Sequence, residues 1–123
     1  MELKKDYQHA LLVPTSMGVR LTPAAAQPMH VKEPLELQVT SAETNVASVS
    51  SFLGLPVKVL TALVKGSPVA RLIKDDLAGR HMDVEAKVVE QGGPWGYRHQ
   101  FNLADRGYGA RGPQVFNDRS GEV

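Results

Sequence analysis

The sequence contains no cysteine, which excludes disulfide bonds, thiolate catalysis and cysteine-based zinc sites. It also has almost no excess of charge, because 14 lysines and arginines stand against 13 aspartates and glutamates, for a formal net charge of +1. Nucleic-acid binding driven by counterion release needs clustered positive charge. The basic residues are instead spread along the chain, so we expect no nucleic-acid partner.

Long apolar runs are absent as well. None approaches the roughly 20 residues that a helix needs to cross a bilayer, so we expect no membrane partner. The segment 1–6 is polar and lacks the apolar region of a signal peptide, so we predict a cytoplasmic protein. The 123 residues are 42% hydrophobic and 22% charged, which is typical of one soluble globular domain with a buried core.

Short apolar or alternating segments predict the strands. The apolar run 9–13 predicts a strand, and 19–21 could continue that strand or start another. The alternation at 35–39 predicts a strand with one exposed face. The continuous apolar run 57–64 is typical of a strand buried on both faces. The remaining predicted strands form an antiparallel meander and lie at 84–90, 96–103 and 114–118.

Two segments carry helix signals. Ser41 is a candidate N-cap, and the helix that follows it ends at Gly54. Its predicted apolar stripe consists of Ala42, Val46, Val49 and Leu53. Ser67 and Pro68 begin a second helix, which ends at Gly79. Its predicted apolar face consists of Val69, Leu72, Ile73 and Leu77.

The order of these elements predicts an α/β fold. A strand–helix–strand crossover implies a parallel sheet with helices packed on it, so we place this βαβ core at about 8–14 and 41–80. The alternating strands at both ends do not fit a parallel sheet. We therefore expect a small second sheet formed by about 17–40 and 84–120.

Four short motifs occur in a characteristic order. Segment 40–47 reads Thr-Ser-Ala-Glu-Thr-Asn-Val-Ala, and a Leu-Gly turn at 53–54 leads into the next strand. Segment 20–23 reads Arg-Leu-Thr-Pro, and 118–121 reads Asp-Arg-Ser-Gly. Together they resemble the ribokinase-like (PfkB-type) carbohydrate kinases, nearest the 2-keto-3-deoxygluconate kinase branch. The resemblance covers nearly the whole chain from about residue 11.

The resemblance implies a fold and a reaction. Family members have an αβα core and a small β-sheet lid that closes over the sugar, and in many members the lid also forms a dimer interface. The full enzyme transfers the γ-phosphoryl group of ATP, with Mg²⁺, to a hydroxyl of a sugar or sugar acid. This chain is thus expected to be the N-terminal, sugar-binding and lid segment, with a homodimer through the lid sheet as one option.

Part of the family pattern is missing. The catalytic base and an anion hole belong to a Gly-Ala-Gly-Asp motif in the C-terminal part of these enzymes, and no Gly-x-Gly-Asp occurs here. The ATP site is built from the same absent part. We therefore assign no catalytic residue, expect no cofactor to be bound by this segment alone, and predict that the isolated chain has no kinase activity.

The resemblance also implies substrate-binding residues near the first helix. Asn45 matches the family asparagine at the start of the sugar-facing helix, although a first-turn asparagine can also bond locally. Ser41 and Thr40 replace two glycines, and Ser41 could line the pocket, cap the helix, or do both. Ser16 stands where the branch often has glutamate, which leaves the identity of the substrate open.

Two arginines are candidates for binding an acidic substrate. Arg119 matches the lid arginine that resembles a carboxylate-binding residue in 2-keto-3-deoxygluconate kinases, and the alternative is a solvent-exposed side chain. Arg98 takes the place of a lid tyrosine if Trp95 to His99 align with the family's Gly-x-Tyr strand. Trp95 and Tyr97 could equally pack a dimer interface. Asn117 replaces a second family tyrosine.

Two further interpretations complete the set. His81, Asp83 and Glu85 alternate along a strand and could face a metal, but such a set is more often a solvated edge, and we predict no metal site. The functional alternative to a kinase segment is a non-catalytic binding or dimerisation module that uses the lid sheet. The departures from the family pattern motivate it; they lie at Thr15, Ser16, Thr40, Ser41 and Asn117.

Overall fold

The computed structural model describes residues 6–30, 32–92 and 96–123. Its elements are β1 (Leu11–Pro14), β2 (Gly18–Pro23), β3 (Leu35–Thr40), α1 (Ala42–Phe52), β4 (Val57–Val64), α2 (Pro68–Gly79), β5 (Met82–Val89), β6 (Phe101–Asp105) and β7 (Gln114–Asp118). The predicted fold class, α/β with a parallel core and a second small sheet, is confirmed.

The core sheet has the strand order β1-β4-β5, and both of its strand pairs are parallel. The α1 helix packs against β1 and β4, while α2 packs mainly against β5. The strands and helices share one buried apolar cluster, which includes Val13, Val59, Met82, Ile73 and Leu77. This packing follows from the crossover connections. Parallel strands all begin at the same end of the sheet, so the connecting helix must run back across the sheet before the next strand can start.

The second sheet, which we call the lid sheet, has the strand order β3-β2-β6-β7. The outer pairs are antiparallel, but β2 and β6 are parallel. The predicted meander of three antiparallel strands is therefore wrong. The strand predicted at 84–90 is β5, which belongs to the core sheet, so the core reaches Val89 rather than about residue 80. Its alternating pattern arises because one face of β5 is covered by α2 while the other face is exposed.

The apolar stripe predicted for α1 does not face the core. Val46, Val49 and Leu53 are 74%, 64% and 76% exposed, respectively. The buried positions of α1 are Thr44, Ala47 and Ser51. These small side chains allow the helix to lie close to β1 and β4. The second predicted face is closer to the structure, since Ile73 and Leu77 are buried in the core.

The two faces of the lid sheet differ in chemistry. Strand register aligns one residue from each strand into rows across the sheet. The polar row consists of Gln38, Arg20, Asn102 and Asn117. The next row, the apolar row, consists of Leu37, Leu21, Leu103 and Phe116. Because successive residues of a strand point to opposite faces, the polar and apolar rows lie on opposite sides of the sheet. No helix in the described part of the chain is long and apolar enough to cross a membrane.

Candidate functional site

A cavity of about 300 Å³ lies between the polar face of the lid sheet and the start of α1. It is lined by Ser16, Arg20, Thr40, Ser41, Ala42, Glu43, Asn45, Gln100, Asn102, Asn117 and Arg119. Ser16, Ser41, Asn45 and Arg119, all proposed from the sequence as substrate-binding residues, thus meet around one space. The volume suits a small polar molecule, since ligand sites begin at roughly this size.

A larger depression of about 410 Å³ at the start of α2 is less suited to a specific ligand. Its lining includes Leu63, Val64 and Val88, together with the exposed Arg71 and Lys74. No unpartnered buried polar atom of the described residues lies there. The smaller cavity is therefore the better candidate site.

Ser41 caps α1 and also contacts two neighbouring side chains. Its backbone is extended, at φ −163° and ψ 133°, and its Oγ accepts a 3.2 Å hydrogen bond from the Thr44 amide. The same hydroxyl lies 2.9 Å from Thr15 Oγ1 and donates to Glu43 Oε2 at 3.0 Å. Ser41 therefore caps the helix and also lines the cavity, so its position fits both of the interpretations offered from the sequence.

Glu43 supplies a negative charge at this end of the cavity. It lies in the first turn of α1, where the exposed amides favour an anion. The pKa of its carboxyl is held below the ordinary 4.5, first by its own main-chain N–H and then by the Thr15 and Ser41 hydroxyls, with Arg119 adding a charge effect. The carboxylate is thus a hydrogen-bond acceptor at neutral pH.

Glu122 connects two of the residues proposed from the sequence. Ser16 Oγ donates to Glu122 Oε1 at 2.6 Å, and Arg119 Nε donates to Glu122 Oε2 at 2.5 Å. This hydrogen bond is the main reason that the pKa of Arg119 is raised above its ordinary value. Arg119 therefore reaches the cavity as one half of an ion pair. No local pattern identified Glu122, which meets Ser16 across 106 positions of the sequence.

Asn45 is oriented by an arginine from the end of α2. Arg80 Nη1 donates to Asn45 Oδ1 at 2.9 Å and to Ser48 Oγ at 3.3 Å. Arg80 is itself held by Asp76, at 2.9 Å between Nε and Oδ2. Because the Asn45 carbonyl oxygen accepts from Arg80, its amide nitrogen is the group left to donate to a molecule in the cavity.

Arg20 and Asn102 line the cavity, and each has one buried polar atom without a partner among the described residues. They are paired in the parallel register of β2 and β6, and Asn102 is only 7% exposed. Arg20 Nε and Asn102 Oδ1 are buried without a hydrogen-bond partner among the described residues. A buried donor and acceptor left open in this way cost free energy unless a ligand or water satisfies them. Sequence reasoning proposed neither residue for the site, although Arg20 begins the Arg-Leu-Thr-Pro motif and each is a polar residue between apolar neighbours in a strand.

Arg98, the fifth residue proposed from the sequence, does not line the cavity. Its Nε donates to the Ser120 carbonyl oxygen at 2.7 Å, and its guanidinium pairs with Asp118. These contacts tie the segment before β6 to the end of the chain. Trp95 lies outside the described residues, and Tyr97 pairs with Gly92 in an isolated bridge.

The alternating residues His81, Asp83 and Glu85, at the start of β5, do not come together around a common point. Asp83 accepts from His9 Nε2 at 2.8 Å, Glu85 pairs with Lys58 at 3.1 Å, and His81 packs edge-on against Phe52. Within 6–30, 32–92 and 96–123, no group of three or more potential metal ligands comes together.

Solved structures with a similar architecture are known. No protein-family model matches the sequence, and no curated protein matches it significantly. The fold is similar to that of a PfkB protein from Polaromonas sp. JS666, with a TM-score of 0.73 and 23% identity over 91% of this chain and 36% of that one. A PfkB family carbohydrate kinase from Listeria grayi is 25% identical, with a TM-score of 0.71 over 91% of this chain and 33% of that one.

The 2-dehydro-3-deoxygluconokinase of Thermotoga maritima gives a TM-score of 0.76 at 17% identity, covering 91% of this chain and 32% of that one. At such identities, the likeness is one of fold. The chain spans about a third of the length of these solved structures. The described chain therefore has the fold of part of a PfkB-type, ribokinase-like carbohydrate kinase.

Proposed function

We propose that this chain is the N-terminal, sugar-binding and lid segment of an ATP-dependent carbohydrate kinase. The observation that carries the proposal is the polar cavity between the lid sheet and α1, in whose lining Arg20 and Asn102 each hold a buried polar atom, Nε and Oδ1, without a partner among the described residues. One hydroxyl group can accept from the arginine and donate to the asparagine. Asn45 and the Glu43 carboxylate add a donor and an acceptor, which suits a molecule with several hydroxyls.

The rest of the reaction requires groups that this chain does not supply. Phosphoryl transfer depends on positioning, a base for the attacking hydroxyl and stabilisation of phosphate charge by Mg²⁺ and cations. No glycine-rich phosphate-binding motif occurs in the sequence, and the cavity is small for a nucleotide. In the proposal, a cytoplasmic full enzyme binds ATP and Mg²⁺ elsewhere. This segment binds and orients a sugar or a sugar acid such as 2-keto-3-deoxygluconate.

The binding half of the proposal is tested by denaturing the chain with and without a panel of ketoses, aldoses and sugar acids. A ligand at 100 times its Kd stabilises the folded state by about 2.7 kcal/mol. We expect a shift with at least one member, and the same shift in an Arg98→Gln control, because Arg98 lies outside the cavity. A well-folded chain that responds to no member would contradict the proposal.

The catalytic half is tested by ADP release in the presence of ATP, Mg²⁺ and the panel. We expect none from the isolated chain. Turnover above a protein-free control would show that the chain supplies its own base and nucleotide site, which would contradict the proposed division of roles.

A second candidate function, dimerisation through the lid sheet, is favoured by its apolar row. Leu37 and Phe116, at the two edges of the sheet, are 49% and 67% exposed, and Met29 is exposed beside Phe116. An exposed row of apolar side chains across one sheet suits a partner sheet. Sedimentation of wild type and Phe116→Lys tests this, since a concentration-dependent dimer should weaken in the variant. A wild-type monomer at high concentration would contradict it.

A further inference from the structure

We propose that Arg20, rather than Arg119, recognises the carboxylate of an acidic polyhydroxylated substrate in this cavity. The inference rests on the proposed function, because it assigns a residue and an orientation to the same site. Both arginines line the cavity, but their electrostatic surroundings differ.

Arg119 is already paired. Its Nε donates to Glu122 at 2.5 Å, and it interacts electrostatically with Glu43. Its side chain is also 58% exposed. A carboxylate that approached Arg119 would compete with its partner Glu122 and would be repelled by Glu43, which lines the cavity and interacts electrostatically with Arg119. Like charges at such distances disfavour one another, so this end suits hydroxyl groups better than an anion.

Arg20 lies among neutral neighbours. In the polar row it is flanked by Gln38 and Asn102, and Asn117 follows Asn102. No carboxylate of the described residues is within ion-pair distance of its guanidinium. The nearest acid along β3, Glu36, is paired with Arg106 at 2.6 Å. Arg20 therefore carries an unneutralised charge into the cavity.

The unmatched Nε adds a geometric reason. A guanidinium binds a carboxylate side-on through Nε and one Nη, with two parallel hydrogen bonds. Arg20 lines the cavity and its Nε is buried without a partner in the described part of the chain, so a carboxylate that draws the guanidinium into the cavity would satisfy this donor. Asn102 Oδ1, the open acceptor beside it, fits a hydroxyl or carbonyl-hydrate group near the carboxylate.

The substrate is thus oriented with its carboxylate at the lid sheet and its hydroxyls toward α1. Asn45 Nδ2 and the Glu43 carboxylate face the hydroxyl end, and Arg20 faces the acid end. This orientation assigns acid specificity to β2 of the lid, not to the segment that follows β7.

Titration calorimetry with a matched ligand pair tests the inference. The pair is 2-keto-3-deoxygluconate and 3-deoxyfructose, which differ only in a carboxylate against a hydroxymethyl group. Wild type should bind the acid at least about tenfold more tightly, the range expected for hydrogen bonds to a charged group. Arg20→Gln should abolish that preference, Arg20→Lys should restore part of it, and Arg119→Gln should keep it.

Each of the other possible binding results would overturn a different part of the inference. Equal binding of acid and ketose by wild type would overturn carboxylate recognition and leave the proposed sugar-binding function intact. Loss of the preference in Arg119→Gln but not in Arg20→Gln would assign the carboxylate to Arg119. Binding of neither ligand, nor of any member of the panel, by folded protein would overturn the proposed function itself. Circular dichroism of the variants, with Arg20→Lys as the milder change, separates loss of binding from loss of fold.

Discussion

The imidazole of His99 accepts a 3.2 Å hydrogen bond at Nε2 from the main-chain N–H of Val64. Val64 ends β4 of the core sheet, and His99 leads into β6 of the lid sheet. Nδ1 lies 3.0 Å from the Met17 carbonyl oxygen, so Nδ1 carries the proton and donates it there. The contact with Val64 requires the neutral ring, because a protonated Nε2 could not accept from it, whereas the Met17 carbonyl oxygen can accept from either form.

This arrangement predicts a pH dependence of stability. Burial lowers the pKa of His99 below its ordinary 6.5, against an opposing effect of the Met17 hydrogen bond. The unfolded chain therefore takes up the proton first as pH falls. Stability from neutral His99 is complete above about pH 6.5 and is lost progressively from there down to the lower folded-state pKa. Urea denaturation at pH 5, 6, 7 and 8 measures it.

A His99→Gln variant provides the control for this prediction. Its amide can keep an acceptor near Val64 but does not titrate, so the loss of stability between pH 7 and 5 should be smaller than in wild type. Because other groups titrate in the same range, the comparison is made on the difference between the two proteins. Identical pH profiles would contradict the assigned role of His99.

Gly18 should be intolerant of a side chain. A Cβ at this position would collide with the Cγ and main-chain carbonyl of Gln100, which pairs with β2 through the Val19 amide at 3.1 Å. We expect Gly18→Ala to destabilise the fold by about 1–3 kcal/mol, the range for overpacking. Gly112→Ala is the matched control, since no atom lies within 4 Å of its added Cβ. Equal denaturation midpoints for the two variants would contradict the close approach of β2 and Gln100.

The sequence predicted the positions of helices and strands better than it predicted which strands pair with one another. The limits of α1 and α2 follow from Ser41 and Ser67, whose hydroxyls cap the helices as local signals indicate. Sheet membership was harder, because β5 alternates like a lid strand yet pairs in parallel with β4. Alternation reports one exposed face, and a strand of either sheet can have one. The exposed stripe of α1 was misassigned for a similar reason, since periodicity does not say which face packs.

The cavity was predictable in part. Ser41 and Asn45 lie in one motif at a helix start, and the resemblance pointed to Ser16 and Arg119, so these four could be proposed together. Arg20 and Asn102 could not, because they become neighbours only through the parallel pairing of β2 with β6. That pairing joins residues far apart in the chain, and no local pattern encodes it. Whether any of the lining residues bind substrate stays a prediction.

Asn102 should show a trade-off between stability and binding. Replacing it with leucine removes a buried acceptor that has no partner in the described protein, and a desolvation cost of about 1–3 kcal/mol attaches to such a group. We expect Asn102→Leu to be as stable as wild type or more stable, but to lose ligand-dependent stabilisation. Gln38→Leu, in the same polar row but outside the cavity lining, should leave ligand binding unchanged. Unchanged binding by Asn102→Leu would contradict the role of its open acceptor.

The two helix caps allow capping to be separated from ligand binding. Ser41 and Ser67 each accept a 3.2 Å hydrogen bond from a first-turn amide, but only Ser41 lines the cavity. Replacing either serine with alanine should cost about 1 kcal/mol of stability. Only Ser41→Ala should also weaken binding of the panel ligand, because it disturbs Thr15 and Glu43. Equal effects of both variants on binding would mean that Ser41 acts only as a cap.

The central claim is that the cavity between the lid sheet and α1 binds a polyhydroxylated compound, and NMR titration of the chain tests it most directly. With a panel ligand, we predict that the largest chemical-shift changes occur at the Arg20 Nε–H, the Asn45 and Asn102 side-chain amides and the amides at the start of α1. The side chains of Arg71 and Lys74, at the larger depression, should not move. Changes centred on α2, or no saturable change at the cavity in folded protein, would contradict the claim.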